Sequence, residues 1–216
     1  MKLIIGAMHE ELQDSIAFYK LNKVENEKFT IYKNEEIMFC ITGIGLVNAA
    51  AQLSYILSKY DIDSIINIGT SGGCDKELKQ GDILIIDKIY NSVADATAFG
   101  YAYGQVPRMP KYYETSNKDI IKTISKAKIK NIASSDIFIH STEQVENFIN
   151  KIEDNISVLD MECFAYAQTA YLFEKEFSVI KIVSDVIGEK STNNVQFNDF
   201  IKIAGKEILE ILKKIL

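Results

Sequence analysis

The chain has 216 residues, and Arg108 is the only arginine among its 24 basic side chains. The planar guanidinium fork that grips phosphate and carboxylate groups is therefore missing almost everywhere. Lysine can still bind phosphate as a point charge, but the lysines form no patch and the net charge is −6. A nucleic acid or other polyanionic partner is not expected. Proline occurs twice and glycine 11 times, while apolar residues make up 47%. That excludes a disordered or low-complexity chain and leaves ample material for a core. The three cysteines, Cys40, Cys74 and Cys163, are odd in number and unpatterned, so no disulfide framework is expected. They read as reduced core residues of a cytoplasmic protein. The two histidines, His9 and His140, stand at no metal-ligand spacing with them, so neither metal nor cofactor is expected. Acidic residues could hold Mg²⁺ only with a phosphate substrate completing the shell. No apolar run reaches the roughly 18 residues of a membrane span, and no secretory leader is read before the first strand. Walker and nucleophile-elbow patterns are missing too.

What remains is an alternation. Residues 2–8 read as a buried strand and 9–20 as a helix, with Leu12, Ile16 and Tyr19 at helical spacing. The runs 28–33 and 36–42 suggest a hairpin around Asn34. A helix over 46–59 precedes an apolar strand, 64–68, that ends in the turn GTSGG, 69–73. A strand over 82–91 leads into the aperiodic stretch 92–116, which carries five aromatic residues. Loops of that length are usually functional or partnered. Helix 117–127, strand 130–137, helix 142–152, a short strand near 156–159 and helix 161–173 follow. The strand 177–186 and a helix over 197–215 close the chain, the helix with an apolar stripe of Phe200, Ile203, Ala204, Ile208 and Ile211. This pattern predicts one α/β domain over 1–216, a mixed, mostly parallel central sheet flanked by helices.

Open α/β sheets bind ligands at the carboxyl ends of their strands. The first strand delivers His9, Glu10 and Glu11 there. The strand at 64 delivers the GTSGG glycines, whose backbone can approach a ligand. The strand near 157 delivers Asp160, Met161 and Glu162, and the strand at 180 delivers Ser184 and Asp185. Each acid has an ordinary structural use: Glu11 and Glu162 in a helix first turn, Asp185 as a helix N-cap. Their convergence on one predicted rim favours chemistry.

Segments along nearly the whole chain, GAMHEEL, TGIGLVNAA, NIGTSGG, GDI, DATAFGYAYGQVP, SSDIFI, LDMECFAYA and VSDV, resemble in order and spacing the 5′-methylthioadenosine/S-adenosylhomocysteine nucleosidases of the nucleoside phosphorylase superfamily. The resemblance implies hydrolysis of an N-ribosidic bond with release of adenine. By it, Glu11 activates water and Asp185, helped by Ser184, protonates the departing base. Glu162 and Met161 hold the ribose. Thr70, where the family usually has Ser, lies with Gly72 near water and sugar. Phe138 and Ile139 frame the purine and Phe197 closes over it. Ile44 lines the 5′-alkylthio pocket, and Phe99, Tyr103 and Pro107 come from the second subunit of a homodimer. Lys181 stands where the family commonly has Arg. The alternatives are a phosphate-dependent purine nucleoside phosphorylase, a hydrolase of another adenosine-type nucleoside such as aminodeoxyfutalosine, and a non-catalytic nucleoside-binding protein.

Overall fold

A computed structural model describes residues 1–188 and 192–216. In chain order the elements are β1 (Lys2–Gly6), α1 (His9–Phe18), β2 (Asn22–Lys23), β3 (Thr30–Lys33), β4 (Ile37–Ile41), α2 (Leu46–Lys59), β5 (Ser64–Gly73) and β6 (Ile83–Asn91). Then come β7 (Tyr113–Glu114), α3 (Lys118–Thr123), β8 (Lys128–Ser134), α4 (Thr142–Gln144), β9 (Val158–Asp160), α5 (Cys163–Leu172), β10 (Glu176–Val186) and α6 (Asn193–Ile215). The strands share one mixed sheet, in the order β10-β6-β8-β9-β5-β1-β4-β3-β2 with β7 on β6. Its longest ladder, β5 with β10, is parallel, as are those of β5 with β1 and β6 with β8.

The site is placed by the length of β5. Its first residues lie between β1 and β10, and its last two pair antiparallel with β9 as β10 continues alongside. Because β10 also pairs with β6, the strands β5, β10, β6, β8 and β9 close into a ring. GTSGG is therefore not the turn expected from its composition. Partners on both edges keep it extended to Gly73. Its glycines answer to their neighbours: a Cβ on Gly69 would stand 2.8 Å from Glu11 Oε1, and one on Gly72 3.2 Å from Asp185 Oδ2. Side chains are missing there because two carboxyl groups take the space.

Alternate residues of the strands feed two cores. Leu3 and Ile5 join the cluster under α2 and α5, while Ile4 joins the one under α1 and α6. A smaller cluster gathers Tyr90, Ile139, Ile149, Ile152 and Leu159. Several elements differ from expectation. The helix expected over 142–152 is one α-turn followed by a π-helical stretch, Val145–Ile149, closed by Asn150 N–H donating to Val145 O at 3.0 Å. The wider turn carries Ile149 and Ile152 into the third cluster. α3 stops at Thr123, and β8 occupies 128–134, set by parallel pairing with β6 and β9. The segment 92–116 holds a 3₁₀ turn, Thr97–Phe99, and β7. α6 begins at Asn193, four residues before the expected start at 197, because its first turn packs on polar groups. Ile203 is half exposed and outside the stripe. Among the described residues no helix is long and apolar enough to cross a membrane.

Candidate active site

The carboxyl ends of β1, β5, β9 and β10 surround one cavity, which the loops at 44 and 137–139 and the first turn of α6 complete. Glu11 enters it from the first turn of α1 and is buried. Its Oε2 accepts from the N–H groups of Ala7, at 3.2 Å, and Met8, at 3.1 Å. Its Oε1 accepts from Thr70 N, at 2.8 Å, and Thr70 Oγ1, at 3.0 Å. All four partners are donors, the complement of a carboxylate.

Asp185 lies on β10 beside Gly72, just past a bulge in the ladder to β5. Ser184 Oγ stands 2.6 Å from Oδ1, and Asn193 Nδ2 donates to Oδ2 at 2.6 Å. Asp185 caps no helix, contrary to its ordinary use after a strand, since its oxygens are engaged by side chains. Burial raises its pKa above the usual carboxylate value, and the hydrogen bonds from Ser184 and Asn193 offset part of that rise. Gly69 and Gly72, which face Glu11 and Asp185, are three strand residues apart, about 10 Å. Both acids line the same cavity.

Glu162 is the N-cap residue of α5 and is buried. Its Oε1 accepts from Gly45 N at 2.9 Å, one of the unpaired donors at the start of α2. Asp136 takes the next, Leu46 N, at 2.8 Å. Burial, reinforced by the charge of Asp160, pushes Glu162 up to about 8, with Lys181 and the Gly45 N–H pulling the other way. Lys181 reaches the cavity wall, and its Nζ lies 2.8 Å from Asp160 Oδ2, both side chains 3% exposed. Asp160 also accepts from Ser134 Oγ, at 2.6 Å, and from the N–H of Cys163.

Thr70, Gly72, Ile44, Phe138, Ile139, Met161, Glu162, Ser184 and Phe197 line the same cavity as Glu11 and Asp185. Phe138 and Phe197 meet edge to face, their centroids 6.4 Å apart. Phe99, Tyr103 and Pro107 do not line it. Phe99 is 84% exposed. Tyr103 packs on the third cluster and donates its hydroxyl to Ser92 O at 3.0 Å. Sequence reasoning missed Asn193, a polar residue ahead of the apolar stripe with nothing local to mark it. It left Asp160 and Lys181 without roles, because a buried ion pair between distant strands leaves no local pattern.

Comparison with known proteins places the chain in a family. The phosphorylase superfamily matches residues 2–216. A 5′-methylthioadenosine/S-adenosylhomocysteine nucleosidase of Staphylococcus aureus (strain MRSA252) is 38% identical over 97% of each chain. The Neisseria meningitidis nucleosidase of that name, solved with methylthio-immucillin-A, superposes with a TM-score of 0.84 at 30% identity, covering 99% of this chain and 97% of that one. The Streptococcus pneumoniae enzyme with 8-aminoadenine gives 0.88 at 28% identity, covering 98% and 96%. With its fold and nearly its full length in common with these proteins, the chain belongs to the phosphorylase superfamily and, within it, to the 5′-methylthioadenosine/S-adenosylhomocysteine nucleosidases.

Proposed function

We propose that this chain hydrolyses the N-ribosidic bond of 5′-methylthioadenosine and S-adenosylhomocysteine, releasing adenine. The observation that carries the reading is the pair of buried carboxyl groups in one cavity with different surroundings. Glu11 is ringed by N–H and O–H donors, while burial favours a proton on Asp185. Cleavage of a ribosidic bond builds oxocarbenium-like charge on the sugar. Adenine leaves poorly as an anion, so Asp185 delivers a proton to the base. Glu11 takes one from the attacking water, on the sugar side.

Glu162 receives the ribose hydroxyls, with Met161 beside it. Its elevated pKa favours a protonated carboxyl, which hydroxyl donors of the sugar would shift towards the anion. Phe138, Ile139 and Phe197 form the purine slot, and Ile44 borders the 5′-substituent. Among the described residues the cavity's only lining cation is Lys181, and Asp160 already engages it. A phosphate nucleophile would lack a free partner, which disfavours phosphorolysis. Adenine release from methylthioadenosine is expected to run at the same rate with and without inorganic phosphate. Strict dependence on phosphate would overturn the hydrolytic reading, and faster turnover of aminodeoxyfutalosine would reassign the substrate.

Phe99, Tyr103 and Pro107 complete the 5′ side of the cavity from a second copy in a cytoplasmic homodimer. Support comes from the exposure of Phe99 together with Ile44 and Val47, apolar residues that a single copy leaves uncovered. Sedimentation at micromolar concentration is expected to show a dimer, and a monomer with full activity would remove the shared site.

A further inference from the structure

Asp185 sits on a strand end that is tied down residue by residue. Gln80 Nε2 donates to Ser184 O at 2.7 Å and to Gln196 O at 3.2 Å. Gln196 Oε1 accepts from Val186 N at 3.0 Å, and its Nε2 donates to Val186 O at 3.3 Å. Between these two anchors, Asn193 Nδ2 donates to Asp185 Oδ2 at 2.6 Å. Asn193 is itself 6% exposed and is the first residue of α6, four before Phe197 in the cavity wall. The other carboxyl oxygen has a weaker claim on its partner. Ser184 Oγ has one proton, and Ser71 O, at 3.2 Å, competes with Asp185 Oδ1, at 2.6 Å, for it. Whenever Ser184 turns towards Ser71, the amide of Asn193 is the donor that still defines the plane of the carboxyl group.

We propose that Asn193 is a positioning residue for the general acid: it fixes Oδ2 of Asp185 and so aims the carboxyl group at the departing base. The inference rests on the proposed role of Asp185. A carboxyl group turns freely about its terminal bond unless both oxygens are held, and misplacement of a reacting group by about 1 Å can cost 10²-fold in rate. Among the described residues, the groups in contact with Asp185 are neutral: Ser184 on its own strand, Gly72 on β5 and Asn193 on α6. Among the same residues, the charged groups that share the cavity are Glu11, Glu162 and Lys181 with its partner Asp160. Loss of the Asn193 donor removes support from the ionised carboxyl group, so the acid holds its proton to higher pH.

Two variants test this. Asn193→Ala deletes the donor. Asn193→Ser keeps a small polar residue at the start of α6, which tolerates serine, but is too short to reach Oδ2. Both are expected to lower kcat by about 10- to 100-fold, with KM within about threefold, and to move the basic limb of the kcat profile to higher pH. A side chain that merely supports the fold would reduce the yield of active enzyme without moving that limb. Folded variants with wild-type kcat and an unmoved limb would overturn the proposal. Asp185→Asn is measured in parallel. If it abolishes turnover while the Asn193 variants are normal, the positioning role alone falls. If it leaves turnover intact, the role of Asp185 falls first.

Discussion

Glu11→Gln is expected to lower kcat by at least ~100-fold, with nucleoside binding retained. The substitution keeps the outline of the side chain and removes its ability to take a proton from water. It also disturbs a filled set of contacts. Glu11 accepts from two N–H groups on one oxygen and from an N–H and a hydroxyl on the other. A glutamine must turn its NH₂ towards one of those sides. Facing Thr70 costs less, because the Thr70 hydroxyl can reverse and accept while the Thr70 N–H cannot. One buried donor then loses its partner, which destabilises by about 1–3 kcal/mol. The kinetic comparison therefore belongs at a temperature where both proteins are folded. Calorimetric titration with a non-hydrolysable adenosine analogue reads binding, and adenine release reads turnover. Turnover at the wild-type rate would take Glu11 out of the reaction.

The same residue shows how much of the site was legible in the sequence. An apolar strand running into GAMHEEL places an acid in a first helical turn, and the structure puts Glu11 there. The strand 177–186 was equally readable, since an unbroken apolar run means burial on both faces, and Asp185 at its end is 1% exposed. GTSGG was misread for a physical reason. Glycine-rich composition signals a turn only when nothing pairs with it, and here β10 and β9 take both edges. The glycines record contact between strand and carboxyl groups, a long-range fact that local composition cannot carry. Asn193, Ser134 and the role of Asp160 escaped for the same reason: their partners lie on other elements, and their own neighbourhoods follow no period.

Lys181→Met is expected to lower the midpoint of thermal unfolding by on the order of 10 °C, from a loss of about 3–5 kcal/mol. Burial alone would strip the proton from this lysine, yet the charge of Asp160 holds its pKa above the ordinary value. Removing the ammonium leaves Asp160 charged, buried and without its counter-ion. Asp160 cannot simply be lost with it, because it also accepts from Ser134 Oγ and Cys163 N–H and so ties β8 to the start of α5. Asp160→Asn in the Lys181→Met background keeps an acceptor for those donors and removes the stranded charge. The double variant is therefore expected to recover part of the lost stability. An effect on substrate should accompany the thermal one. Lys181 is one of the two influences that hold the Glu162 pKa down, so its loss raises a value already near 8. In the ribose-binding role proposed for Glu162, a carboxyl group that stays protonated has one fewer acceptor for the sugar, and KM is expected to rise while kcat changes less. Thermal unfolding of the two variants with steady-state kinetics checks both effects. A melting midpoint within a degree or two of wild type for Lys181→Met would mean that Asp160 finds its compensation elsewhere, and that the ion pair does not support the floor of the site.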